Sequence, residues 1–136
     1  MSVIVTDAGF GPDNWTAGFT ALGEAANDVL SVDLGSDADP ADLAARLDRL
    51  EMIRVDFPSF ADGRGFTIAR RLRLMGYTGR LRAKGHVISD QYAMARRAGF
   101  DEVEISDDLA ARQPAEEWLF RADWQSHDYQ SRVRAG

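Results

Sequence analysis

MIRVDFPSFADGRGFTIARRLRLMGYTGRLRAKG, residues 52–85, decides the fold. Met52 to Phe57 is a β-prone run closed by Pro58, which cannot donate to a ladder. The loop Ser59 to Gly65 follows. From Phe66 to Met75 the period changes to that of a helix, which buries Ile68, Ala69, Leu72 and Met75 and points Arg70 and Arg73 outward. Gly76 ends that helix, Arg80 to Lys84 is a second short strand, and Gly85 closes it. Strand, helix and strand within so few residues is the spacing of a parallel pair joined by a helical crossover.

The pattern continues in both directions. Upstream, Ser2 to Thr6 and Val29 to Leu34 read as strands. Asn14 to Asp28 reads as a helix capped by Asn14 and weakened by Gly18 and Gly23. Asp39-Pro40 starts another helix, with Asp39 as cap, Pro40 in the first position and an apolar stripe of Leu43, Ala44, Leu47 and Leu50. Downstream, Val87 to Ala98 reads as a helix, Phe100 to Ile105 as a strand, and Pro114 opens a short helix holding Trp118, Leu119 and Phe120. The expected architecture is α/β: a single domain over residues 1–124, with a mostly parallel sheet of strand–helix–strand units and the helices packed on it. A polar tail follows at 125–136. Strand order stays open, as does the choice between an open sheet and part of a (βα) barrel.

The bulk numbers narrow the function. The 136 residues carry a net charge of −6, which argues against nucleic acid as a partner because phosphate binding needs a basic surface. The chain has no cysteine, which removes disulfides, thiol redox chemistry and cysteine-ligated metal. Two histidines far apart, His86 and His127, point to no transition-metal site. No apolar run approaches a membrane span and no leader-like segment heads the sequence, so the expected compartment is the cytoplasm.

Charge is unevenly distributed. Residues 57–100 hold nine Lys or Arg against two acids, while the remainder holds seven bases and twenty acids. Such asymmetry marks a region that meets an anion or an acidic partner. In parallel α/β sheets ligands collect at the carboxyl ends of strands, a rule that selects Asp62, Gly63, Arg64 and Gly65 after the first strand and Arg82, Lys84 and His86 on or after the second. Glycine amides at a helix start, with arginines beside them, are suited to phosphate, sulfate or carboxylate. The alternative stays open: DGRG is also the sequence of a tight turn in which Asp62 bonds its own backbone and Arg64 faces water. The loop is neither a phosphate-binding GxxxxGK[ST] nor a GxGxxG dinucleotide motif. Arg70, Arg71 and Arg73 read as a solvated helix face. Asp90 sits in the first turn of its helix, where a carboxylate is favoured. Gln91 falls among Val87, Met94 and Ala98, so its amide needs partners, and the DGRG loop is the nearest source of them. His86 is a weak acid–base candidate beside its ordinary role as a surface residue at a turn. Trp15, Trp118 and Trp124 read as core or interface aromatics.

Three runs in order, FPSFADGRGFTIARRLR at 57–73, GYTGRLRAKGHVISDQ at 76–91 and GFDEVEI at 99–105, resemble an uncharacterised bacterial family, domain of unknown function 934. That resemblance implies a context more than a mechanism: an accessory protein of assimilatory sulfate and sulfite reduction, acting with sulfite reductase or its electron donor. The label attached to the family is probable oxidoreductase. It offers no catalytic residues to carry over, and His86 stands where an acidic residue is frequent in the family. Two readings follow. One is a docking accessory that uses the basic stretch. The other is a small oxyanion- or phosphate-ligand-binding enzyme whose ligand set is Asp62, Gly63, Arg64, Gly65, Arg82, His86, Asp90 and Gln91. The cofactor is unknown, a borrowed flavin being one option. The Trp-bearing C-terminal helix leaves a homodimer open.

Overall fold

A computed structural model describes residues 2–24 and 28–124. Its strands are β1 (Ser2–Thr6), β2 (Gly9–Gly11), β3 (Thr20–Ala21), β4 (Ser31–Leu34), β5 (Met52–Phe57), β6 (Arg80–Gly85) and β7 (Glu102–Ser106). Its α-helices are α1 (Arg64–Leu74), α2 (Tyr92–Ala98), α3 (Asp107–Arg112) and α4 (Ala115–Leu119). The fold is α/β, with one seven-stranded sheet in the order β2-β1-β7-β6-β5-β4-β3. Strands β3 to β7 are parallel and lie side by side in chain order, while β1 pairs antiparallel with both β2 and β7. Each parallel strand thus lies beside its predecessor, as in a (βα) barrel, but β2 and β3 end the sheet as edges.

Strand alternation sorts side chains onto two faces. Val32 and Leu34 of β4, Ile53, Val55 and Phe57 of β5, Leu81 and Ala83 of β6, and Val103 and Ile105 of β7 join one core with Phe66, Ile68, Leu72, Tyr92, Ala95 and Trp118 from the helices. Burying each large apolar side chain there contributes about 1.5–3 kcal/mol relative to exposure. The alternate positions, Asp33, Arg54, Asp56, Arg82, Lys84, Glu102 and Glu104, are charged and share the opposite face.

That second face is crossed by the N-terminal chain. Strand β2 is one edge of the sheet and β3 the other, so residues 12–19 run across the face between them without joining a ladder. The expected helix over 14–28 does not form in the described residues. Gly18 adopts φ 74°, Asp13 accepts a hydrogen bond from the Trp15 N–H at 2.9 Å, and only a 3-10 turn at Leu22–Glu24 follows. The side chains that would have made an apolar stripe cover arginines instead: the Phe19 ring lies 3.7 Å from the Arg54 guanidinium carbon, and Trp15 lies 5.8 Å from that of Arg80. Residues 25–27 of that expectation, and the tail at 125–136, lie outside the described residues.

Smaller corrections have local causes. The helix expected from Asp39 is a 3-10 helix, Pro40–Arg46, capped as anticipated by Asp39 on the Ala41 N–H at 3.0 Å. The expected helix 87–98 begins as a 3-10 turn, Ser89–Gln91, which shifts the phase of α2 so that Tyr92, Ala95 and Ala98 face inward and Met94 faces water. Arg73 does not point away: it donates to the carbonyls of Tyr77, Gly79 and Gly99 and pairs with Asp101 at 3.0 Å, tying the end of α1 to β7. Helix α3 follows β7 directly, with Ser106 capping the Leu109 N–H at 3.1 Å.

Candidate functional site

The carboxyl ends of β4, β5 and β6 share one edge of the sheet, and the DGRG loop belongs to it. Asp62 makes the tight turn its sequence allows, accepting the Arg64 N–H at 3.1 Å. The same carboxylate grips the Arg64 guanidinium with two bonds, at 3.0 and 2.7 Å, and Arg64 Nη2 also donates to Ser36 Oγ at 2.9 Å. This fork holds the Asp62 carboxyl down at about 2, the hydrogen bond from the Arg64 side chain being the main cause. Arg64 is exposed and Asp62 largely covered, and most of the Arg64 fork is occupied.

The two glycines of the loop have different reasons. Gly63 precedes α1, and a Cβ on it would meet only the Phe66 ring, at an ordinary contact of 3.9 Å. Gly65 is buried because the ring of Phe57 fills the place of its side chain: a Cβ there would lie 2.4 Å from Phe57 Cζ. Its bareness serves packing, not ligand approach.

His86 and Gln91 pin the loop. The His86 N–H donates to the Phe57 carbonyl at 2.9 Å, and its ring lies edge-on to Phe60 at 5.0 Å. Gln91 bonds both ways, as a half-buried amide should: Oε1 accepts from the Ile88 N–H and Nε2 donates to the Phe60 carbonyl, each at 3.1 Å. The link from Gln91 to the loop is the one its position in the sequence pointed to.

Two expected members lie elsewhere. Asp90 turns toward α4 and pairs with Arg121 at 2.8 Å. Arg82 sits mid-strand on the face opposite the helices, with its side chain fully buried. Its Nε donates to Glu102 at 2.6 Å, Nη1 to Glu104 at 2.9 Å, and Nη1 and Nη2 to Asp13 at 3.1 Å each. Alternation separates it from the loop: Leu81 and Ala83 face the helices, so Arg82 cannot.

Arg82 is the centre of an ionic layer that strand-by-strand reading missed. Arg54 forks onto Asp33 at 2.6 and 2.7 Å and reaches Glu104 at 3.1 Å, while Arg80 joins Glu102 at 2.7 Å and Asn14 at 2.9 Å. Burial, the largest single influence, raises the Asp13 carboxyl, but the hydrogen bonds from Arg82 and the Trp15 N–H together with the charges of Arg82 and Arg54 hold the group below its usual range. The signal was present in the sequence: β5, β6 and β7 each place a charge at every second residue. Among the described residues no buried side-chain nitrogen or oxygen lacks a partner, no three His, Cys, Asp or Glu could hold a metal, and no helix is long and apolar enough to cross a membrane.

Fold and edge together define an α/β protein with a mostly parallel sheet, an open strand-end edge and an arginine–carboxylate layer on the face away from its helices. The family model for a bacterial protein of unknown function, DUF934, matches residues 31–136, and the chain belongs to that family. The match takes in the DGRG loop and the parallel strands β4 to β7, and begins beyond the crossing segment at 12–19. No curated protein matches the chain.

Proposed function

We propose that this protein is a cytoplasmic accessory of sulfite reduction that docks, through the outer faces of α1 and α2, onto an acidic surface of sulfite reductase or its electron donor. The sulfite context rests on the family resemblance. The docking surface rests on one observation: α1 and α2 carry six arginines and no acid, and two of the six, Arg70 and Arg97, are exposed with no ion-pair partner among the described residues. The other four are committed, Arg64 to Asp62, Arg71 to Asp39, Arg73 to Asp101 and Arg96 to Asp7. An unpaired guanidinium on a rigid helix raises association rate and selects acidic partners. In this reading residues 1–124 act as one α/β unit whose strand–helix–strand segments present the two helices together.

The rival reading, oxyanion capture by the DGRG loop, is less well supported because Asp62 already occupies the fork of Arg64 and Arg82 is internal. Pull-down from cell extract separates the two. Tagged wild-type protein should enrich sulfite reductase at low salt, and Arg70→Glu with Arg97→Glu should abolish capture while leaving the melting temperature near wild type. No enrichment at low salt, or capture indifferent to charge reversal, would refute docking. An oxyanion panel that stabilises wild type but not Arg64→Ala would revive the rival.

A further inference from the structure

Fifteen arginines and one lysine make up the basic side chains of this chain, and the lysine is Lys84. It stands at the carboxyl end of β6, on the face away from the helices, in register with Asp56 of β5 on one side and Glu104 of β7 on the other. Neighbouring strands are about 4.8 Å apart, so both carboxylates are within reach of a flexible ammonium. Yet the side chain of Lys84 makes no ion pair or hydrogen bond among the described residues, and neither does that of Asp56. Glu104 is turned back along the sheet to Arg54 and Arg82.

One row further back the same face shows what an arginine does in such a place: Arg54 and Arg82 each fork onto carboxylates of adjacent strands and close the row. Lysine leaves its row open. Clefts of about 220 Å³ lie on either side of Lys84, one bounded by Asp33, Arg54 and Asp56, the other by Ser2, Glu104 and Ser106. Each is of a size for a small solute and below the range of drug-sized or dinucleotide sites. Gly85 holds the floor, since a Cβ on it would lie 2.7 Å from the Phe57 carbonyl oxygen and its φ is 113°.

We propose that Lys84 and Asp56 form a binding site for a small ligand that carries an anionic oxygen group beside an N–H or O–H donor. Lys84 takes the anionic oxygens and Asp56 accepts the donor. A free amino acid and a protonated oxyanion share this chemistry. The site lies on the opposite face from α1 and α2, so it stands or falls independently of docking.

The test is a titration of ¹⁵N-labelled full-length protein with glycine and, separately, with hydrogen phosphate, following the amides of Asp56, Lys84 and Gly85. One or both should move these signals saturably at millimolar concentration, and which does so names the source. Lys84→Met should bind roughly tenfold or more weakly through loss of a charge-assisted bond. Lys84→Arg should do the same although it keeps the charge, because its fork closes onto Asp56 and Glu104. If neither solute moves the three amides of wild type, or if either variant titrates like wild type, the proposal is wrong.

Discussion

The two faces of this sheet are made from the same strands and held by opposite means. Toward the helices, Ile53, Val55, Leu81, Ala83 and Val103 meet α1 and α2 in an apolar core. Away from them, Asp33, Arg54, Arg82, Glu102 and Glu104 lock side by side beneath the crossing segment 12–19. The apolar face tolerates exchange among side chains of like volume, because dispersion and burial have no direction. The ionic face cannot, because every partner removed strands another charge out of water. One face supplies stability; the other specifies which carboxylate meets which guanidinium, and so where the N-terminal segment lies.

The largest test of that contrast is Arg82→Ala. It leaves Glu102 and Glu104 buried beside a void, and loss of one partner of such a network costs about 3–5 kcal/mol. Urea denaturation should show the loss as a lower midpoint with little change in slope. A change under about 1 kcal/mol would mean that water enters the layer freely and the two faces do not differ in kind. Gly65→Ala probes the apolar face and should cost about 1–3 kcal/mol, since the new methyl meets the Phe57 ring 2.4 Å away. Shrinking that ring with Phe57→Leu should recover part of the loss in the double variant, a coupling readable from a double-mutant cycle. If the losses simply add, the glycine answers to something other than Phe57.

Much of the apolar face was legible because its signals are local. The bounds of β5 follow from Met52 and the breaker Pro58, and the cap at Asp39 is where the Asp-Pro pair put it. The amide of Gln91 could only be satisfied by a neighbour, and its bond to the Phe60 carbonyl follows from that need. The ionic face was not legible residue by residue. Arg82 looked like a strand-end ligand because its partners, Asp13 and Glu104, come from 69 and 22 residues away. Trp15 and Phe19 looked like helix residues because nothing near them in sequence says that arginines wait beneath them. Strand order would have been needed to see that the alternating charges of β5, β6 and β7 stand in register, and order is a tertiary property.

The crossing segment gives the next test, smaller because its groups are partly wet. Asp13→Asn removes the charge that Arg82 holds and should cost about 1 kcal/mol, since the side chain of Asp13 is 35% exposed. Hydrogen exchange should quicken at residues 12–21 well before β5 or β6, and added salt should do the same in wild type. Because the Asp13 carboxyl is lowered in the folded chain, its contribution is complete above its ordinary value of 3.8 and is lost as pH falls through its folded value. The segment should therefore loosen in acid while the helical core stays protected. Simultaneous exchange of both faces would show that they form one cooperative unit.

The smallest effect is expected at the DGRG loop, where the same pair of residue types has its guanidinium in water: the Arg64 side chain is 60% exposed, whereas that of Arg82 is fully buried. Arg64 and Asp62 are as well aligned as Arg82 and Asp13, with bonds of 3.0 and 2.7 Å. Solvent screens the exposed guanidinium, so Arg64→Ala should lower the urea midpoint at neutral pH by less than Asp13→Asn does. What must change is the titration of Asp62. Its carboxyl is held at about 2 chiefly by the Arg64 hydrogen bond, and the variant should return it toward 3.8, as read from the side-chain carboxyl ¹³C signal against pH. The sign follows from the lowered folded value: whatever stability the pair adds is present above 3.8 and disappears as pH falls toward 2, so wild type and variant should converge in acid. A shifted titration with a midpoint that moves less than that of Asp13→Asn would show that burial of the guanidinium, not hydrogen-bond geometry, separates the ionic face from the loop. A midpoint that falls at neutral pH as far as that of Arg82→Ala would instead make the loop an extension of the ionic layer, joined to it through Ser36 and β4.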